Sequence, residues 1–374
     1  MTTDIPLKKL TELFFLSAEL HADNIELADE SLPLLAIAHG IANLIYEQQQ
    51  NKNNLTPNSL TTLQKHYTEY RIINSFVDSE AIKILEQLKA LKIDVVVLKG
   101  FALSHQIYPS TFLRPKTDID IIINPKDEEA ISTFFQQQKY INPRGWKASA
   151  ISNEFSMIKN ISKGVCVNFD IHLKISNSKL IDNLLNYSEL LRIADKTTLP
   201  NINLVSKPHA LIHAVVHLLH HRASGDLIKL IWYYDIYLLI EKISQNEKTE
   251  LQGLIQKKEL VTVILECIKL TTVYFNSSKI EDLIAWCEQP NIKKKSNIKY
   301  QHLLRNTYGI KGLWLTLLNT TGLVNKWSVI RETAFPPKEE IYLKYGINNK
   351  TPIIFLYVKR IFFGVIKYIT PKNK

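Results

Sequence analysis

The segment Thr117-Asp118-Ile119-Asp120-Ile121-Ile122-Ile123 sets two carboxylates at alternate positions of a run that is otherwise isoleucine. In extended chain, successive side chains point to opposite faces. Asp118 and Asp120 therefore share one face, about 7 Å apart at their Cα atoms, while Ile119 and Ile121 go to the other. Two such carboxylates repel each other on an apolar strand and disfavour folding unless a cation neutralises them. Oxygen-only ligation of this kind suits Mg²⁺ or Mn²⁺, held by a few carboxylates together with phosphate oxygens. A later segment repeats the device: Val167, Phe169 and Ile171 alternate with Asn168, Asp170 and His172. Asp170 joins the pair if the two strands are neighbours. The competing reading of a lone Asp-x-Asp is a strand-end pair that faces water, and the Ile-rich setting together with the third carboxylate weighs against it.

Other side chains with chemical potential surround this motif. Gly100 follows an apolar run at once, and a glycine at a helix start offers unpaired backbone N–H groups that can hold a phosphate. Lys99 borders the same run, where it either meets a phosphate or pairs with Asp94 or Asp120. Arg114 and Lys116 precede the acidic pair, as cations for a triphosphate or as solvated loop charge. His209, His213, His217 and His221 recur every four residues and share a helix face. That face serves zinc, a bound substrate or plain core packing. The Glu of a His-Glu-x-x-His metalloprotease motif is missing.

These residues need elements to position them. Asp94 to Leu98 is a continuous β-branched run and reads as a buried strand. Phe101 to Tyr108 reads as a short helix, Thr117 to Ile123 as a second strand, and Lys126 to about Lys139 as an amphipathic helix. Glu154 to Lys159 and Val165 to Lys174 flank Ser162-Lys163-Gly164 as a hairpin. Upstream, Leu7, Leu10, Leu13 and Phe14, then Leu34 to Tyr46, then Ser79 to Lys92 have helical spacing, with a polar linker from Gln48 to Asn58. Beyond Pro200 the strand signal stops, and His209 to His221, Leu227 to Lys242 and Leu251 to Phe275 read as helical. The division that follows is 1–75 helical, 76–200 mixed, and 201–374 helical and basic.

Composition bounds the function. The 374 residues are 45% hydrophobic and 22% charged, which excludes a disordered or fibrous chain. Three cysteines, Cys166, Cys267 and Cys287, do not make a disulfide framework, and no apolar run of about 18 residues is present to cross a bilayer. The cytoplasm is the expected compartment. The net charge of +10 is a C-terminal property, since Pro290 to Lys374 carries 16 Lys/Arg and 3 Asp/Glu. That region either attracts a polyanion or forms a solvated helical face. Nucleic acid is the less favoured partner, because Tyr308, Trp314 and Trp327 lie in apolar runs that suit packing better than base stacking.

Leu98-Lys99-Gly100, Tyr108, Arg114, Asp118-Ile-Asp120 and Asp170-Ile-His172-Leu173 together resemble the uncharacterised nucleotidyltransferase family of the DNA polymerase β-like superfamily. His217-Leu-Leu-His220-His221-Arg222 with Asp235, and Phe335-Pro336-Pro337 with Tyr357-Val-Lys-Arg360, extend the resemblance over about residues 75 to 365. It implies an α+β protein: a small mixed-sheet nucleotidyltransferase core with a helical N-terminal segment and a helical C-terminal domain. It further implies a nucleoside triphosphate as substrate, Mg²⁺ or Mn²⁺ on Asp118, Asp120 and Asp170, and nucleotide contacts from Lys99, Gly100, Arg114 and Lys116. Phe101 stands where the superfamily has Gly or Ser, so the hydroxyl contact falls to Ser104. His217, His221 and Asp235 are candidate substrate contacts. The implied reaction transfers a nucleoside monophosphate to a hydroxyl of a small-molecule or protein acceptor. Its rivals are a toxin-like modifier of tRNA or protein and an inert nucleotide-binding module.

Overall fold

Val95, Val96 and Val97 are β-branched and fully buried, and they form β1 near the middle of a mixed sheet. The computed structural model describes residues 11, 31–52, 55–143, 152–294, 296–305, 310–335, 341 and 352–359. Leu7, Leu10, Leu13 and Phe14, Lys295 of the basic cluster, and Pro336, Pro337 and Arg360 of the C-terminal motif lie outside those residues.

Two short helices, α1 (Leu32–Ala38) and α2 (Ala42–Gln49), lead to α3 (Pro57–Ala90). Thr56 caps α3 by accepting a hydrogen bond from the Ser59 N–H, and Pro57 presets its first turn. The helix runs unbroken through residue 75, so residues 57–75 and 76–90 form one rod. Leu63, Ala81, Ile84, Leu85 and Leu88 bury its apolar stripe, while Asn74 and Asp78 are buried polar interruptions.

After β1 comes α4 (Lys99–Gln106), starting two residues before the expected Phe101 and thereby making Lys99 its first residue. Then follow β2 (Ile119–Ile123), α5 (Glu128–Gln137), the hairpin β3 (Glu154–Ser162) and β4 (Val165–His172), α6 (Tyr187–Arg192) and β5 (Asn203–Leu204). Among the described residues the strands order as β3-β4-β2-β1-β5. β1 runs antiparallel to β2, and β2 runs parallel to β4 with Asp120 opposite Asp170. The two acidic strands are therefore neighbours, as the alternation in each required. Gly164, at φ +80°, makes the hairpin turn.

The strand β5 corrects the expectation that strands end before Pro200. It is two residues long and pairs parallel with β1, and so short a segment leaves no periodic signal. The helical half comprises α7 (Lys207–Ser224), α8 (Leu230–Lys242), α9 (Gln245–Lys257), α10 (Val261–Thr271), α11 (Ser278–Glu288), α12 (Ile310–Asn319) and α13 (Leu323–Ala334). The expected Leu251 to Phe275 helix is two, with Glu259 at φ +56° in the break between α9 and α10. One apolar core runs continuously from Leu32 to Leu303, joining the sheet to the helices on both sides of it in sequence. Trp314 and Trp327 are 60% and 67% exposed, contrary to their expected packing. Among the described residues, no helix is long and apolar enough to cross a membrane.

Candidate active site

β4 shows why the acidic side chains gather on one face. Val167, Phe169 and Ile171 are buried toward α5, where Phe169 meets Phe135 at 5.0 Å, and Asn168, Asp170 and His172 take the opposite side. β2 adds Asp120 to that side, and Asp118 precedes the strand by one residue with the same polarity.

The two carboxylates have different surroundings. Asp120 is buried, and its Oδ1 accepts from Lys99 Nζ at 2.6 Å and lies 2.8 Å from His172 Nε2. Burial alone would raise its pKa, but Lys99 and His172 reverse the sign and hold it well below the usual range. Both contacts use one oxygen, which leaves Oδ2 outside the ion pairs. The expected mutual strain of the two aspartates is thus relieved at Asp120 by the protein itself. Lys99 takes the structural pairing with Asp120, and Asp94 pairs with Lys89 instead, at 2.7 Å. Holding this contact, Lys99 sits at φ +47°, a left-handed conformation unfavourable for a residue with a Cβ. His172 is also 3.0 Å from Glu154 Oε2. Burial and Lys99 disfavour its proton, yet the bonds to Asp120 and Glu154 outweigh them and raise its pKa to about 9.

Asp118 makes no hydrogen bond or ion pair with any described residue. Burial, and the carboxylates of Asp120 and Asp170, raise its pKa to about 6. Asp170 accepts from Ser156 Oγ at 2.7 Å and from Asn168 Nδ2 at 3.3 Å.

Asp118 and Asp120 open onto a cavity of about 360 Å³ whose wall also includes Lys99, Gly100, Arg114 and Lys116. His217 and Asp235 line it from α7 and α8, whereas Asp170, Ser104 and His221 do not. The Ser104 hydroxyl is buried and donates to the Phe101 carbonyl within α4. Gly100 is where the turn approaches its neighbours most closely: a Cβ there would stand 3.2 Å from both Arg114 Nη1 and Lys116 Cβ.

The loop cations are already engaged. Arg114 Nε and Nη2 donate to Asp235 at 2.7 to 3.1 Å, and the Tyr108 hydroxyl donates to the same carboxylate at 2.7 Å. Lys116 Nζ reaches into α3, 2.6 Å from Asn74 Oδ1 and 2.9 Å from Asp78 Oδ1, and burial lowers its pKa. By contrast, Lys229 lines the cavity with no carboxylate at ion-pair distance among the described residues. Trp232 and Ile231 of α8, His66 and Tyr70 of α3 and His213 of α7 also line it.

Sequence reasoning gave Glu154, Lys229, Trp232, His66 and Tyr70 no place in the site. His172 was detectable, since it continues the alternation through Asn168 and Asp170. The others come from distant elements and carry no local motif.

Among the described residues, no three His, Cys, Asp or Glu side chains form a ready metal cage. Two carboxylates beside an open cavity instead match a hard cation that takes its remaining oxygens from phosphates.

No curated protein matches the chain. A family described as uncharacterised nucleotidyltransferases matches residues 28–276, from before α1 through α10. This match starts earlier than residue 75 and stops before the C-terminal motif at Phe335, so the basic end lies beyond it. With the matched span covering most of the chain and all of the acidic face, the protein belongs to the uncharacterised nucleotidyltransferase family.

Proposed function

We propose that the protein transfers a nucleoside monophosphate from a nucleoside triphosphate to a hydroxyl acceptor and releases pyrophosphate. One observation carries the reading: Asp118 is a half-buried carboxylate beside two others, with no hydrogen-bond or ion-pair partner among the described residues, at the edge of a cavity that also holds the Lys99–Gly100 turn. Family membership supports the same chemistry.

Asp118 and Asp120, with Asp170 adjoining, would hold Mg²⁺ or Mn²⁺, which when bound supplies charge neutralisation to the phosphates and lowers the pKa of the acceptor hydroxyl. Lys99 keeps the Asp120 carboxylate ionised and oriented. The backbone at Lys99 and Gly100 opens α4 toward the cavity, where helix N–H groups favour a phosphate. Lys229, which has no carboxylate at ion-pair distance among the described residues, is a cation suited to the triphosphate, a role that Arg114 and Lys116 are too fully engaged to take. Arg114 instead buttresses the Gly100 turn through its ion pair with Asp235. Trp232 offers an aromatic face to the base. The acceptor oxygen attacks the α-phosphorus, and the bond to the β-phosphate oxygen breaks in line.

A second reading, an RNA acceptor, draws on exposed Trp314 and Trp327 in a basic segment free of Asp and Glu from residue 289 to 331. The test is incubation of the protein, Mg²⁺ and each α-labelled triphosphate with lysate, followed by separation of small-molecule, protein and RNA products. Label in the small-molecule or protein fraction, abolished by Asp118→Asn, supports the first reading. Label in RNA alone selects the second, and no transfer with any triphosphate rejects both.

A further inference from the structure

A second cavity, of about 190 Å³, adjoins the first, and Lys99, His213 and His217 stand in the wall of both. A two-substrate transferase needs two adjoining sites whose ligands meet at one boundary. Here three side chains belong to both walls, and Asp118 and Asp120 line the first cavity alone.

The second cavity mixes polar groups with the aliphatic side chains of Ile175, Ile181 and Val216. Its cations Lys99 and His172 are paired at 2.6 to 3.0 Å, with Asp120 in the wall of the first cavity and with Glu154 in its own. Asn177 Nδ2 donates to Glu154 Oε1 at 2.9 Å, and Ser176 stands beside it. His221, at the rim, is 2.8 Å from Asp226 Oδ2. His217 makes no hydrogen bond with any described residue, which leaves its ring nitrogens to a ligand. Burial and the charge of Lys99 lower its pKa well below the ordinary value, so its ring is neutral, with one nitrogen able to donate and the other able to accept a hydrogen bond.

A wall of the neutral imidazoles His213, His217 and His220, an amide, a hydroxyl, paired charges and a few aliphatic side chains suits a ligand with many hydroxyls, apolar C–H faces and no net charge. The volume is below the roughly 300–1,000 Å³ of pockets for drug-sized ligands, so it encloses a small molecule and not a nucleic-acid strand or a folded protein. We propose that the second cavity is the acceptor site and that it takes a small neutral polyhydroxylated compound, a monosaccharide or cyclic polyol. This inference rests on the nucleotidyl-transfer reading above. The attacking hydroxyl reaches the first cavity past His217. Its oxygen bonds to the α-phosphorus, and its proton passes to solvent. The α–β phosphate bridge breaks, with the electron pair leaving on pyrophosphate.

The test separates the two sites. Saturation-transfer NMR without nucleotide, on wild type with D-glucose, D-mannose, myo-inositol and glycerol, reads the second cavity alone. A fluorescent triphosphate analogue reads the first. The expected result is saturation of at least one polyol, reduced about tenfold or more by Ser176→Trp, which fills the cavity, with triphosphate affinity within about twofold of wild type. Asn177→Ala, at an exposed position, provides a milder variant should the tryptophan perturb folding, and it should weaken the same polyol. The proposal is overturned if no polyol binds wild type, or if binding is unaffected by both variants. Failure of the triphosphate analogue to bind would reject the transferase reading, while the NMR arm would still decide whether the cavity takes polyols.

Discussion

Lys99 Nζ lies 2.6 Å from Asp120 Oδ1, whereas Asp118, two residues away on the same face, has no cation of the protein at bonding distance among the described residues. The asymmetry divides the labour of the acidic pair. Asp120 is fixed by the fold, and Asp118 carries the unrelieved charge that a ligand has to meet. Two aspartates that look equivalent in sequence should therefore respond in opposite ways to substitution.

For Asp118, the folded pKa of about 6 exceeds the reference 3.8. The folded state then holds the proton more tightly than the unfolded one. The contribution is fully present below pH 3.8 and is lost as pH rises through about 6. Above that, the ionised side chain opposes folding by up to about 3 kcal/mol. Asp118→Asn should melt above wild type at pH 7.5, match it near pH 4, and lose turnover at both. Scanning calorimetry of the metal-free proteins checks this, and a lower melting temperature at pH 7.5 would contradict it.

Asp120→Ala should do the reverse. It strips the partner from the buried His172 and the part-buried Lys99, and breaking a buried pair costs about 3–5 kcal/mol. His172 adds a pH signature of its own: with a folded pKa of about 9, its contribution is complete below the reference 6.5 and is lost as pH rises through 9. Wild type should consequently weaken between those values, and Asp120→Ala should flatten that slope. Urea titrations at pH 6.5 and 9.5 measure both effects.

Lys229→Met tests the cation of the cavity wall. The side chain is exposed and engages no carboxylate among the described residues, so stability should stay within about 0.5 kcal/mol of wild type. The KM for triphosphate should rise about tenfold or more, as expected for the loss of one charge-assisted phosphate contact. An unchanged KM would return the phosphate role to the engaged cations of the loop.

The contrast between Asp118 and Lys229 also marks what could be read from residues in order. Alternation along β2 and β4 makes their shared acidic face legible, because period-two patterning survives in any buried strand. Lys99 and Gly100 were legible for the same local reason, as the end of a β-branched run. Partners were not. Arg114 and Lys116 look like free loop cations until α8 brings Asp235 and α3 brings Asp78, and nothing near either residue in sequence encodes those meetings. β5 escaped because two residues cannot show a period. Glu154 escaped because its role depends on the hairpin register that sets it opposite His172.

The last prediction concerns that unread contact, Arg114 with Asp235. Their side chains are separated by 121 residues in sequence, are both buried, and share the carboxylate with the Tyr108 hydroxyl. Burial opposes the charge on Arg114, but Asp235 more than compensates and raises its pKa. A buried pair of this kind is strongly destabilising to break by halves, about 3–5 kcal/mol, because the survivor is left charged without a partner. Asp235→Asn should therefore lower the urea midpoint sharply. Replacing both residues, as in Arg114→Met with Asp235→Leu, should recover much of that loss, since no orphaned charge remains. Catalysis should not recover with it. Arg114 Nη1 stands 3.2 Å from where a Gly100 Cβ would be, so a flexible methionine removes the backing of the phosphate turn. The double variant is expected to fold with a stability between those of Asp235→Asn and wild type, because the buried Tyr108 hydroxyl loses its acceptor, and with kcat/KM for triphosphate reduced about tenfold or more. Full activity in the double variant would show that the pair only joins the helices to the sheet; loss of both stability and activity would show that repacking fails at this site.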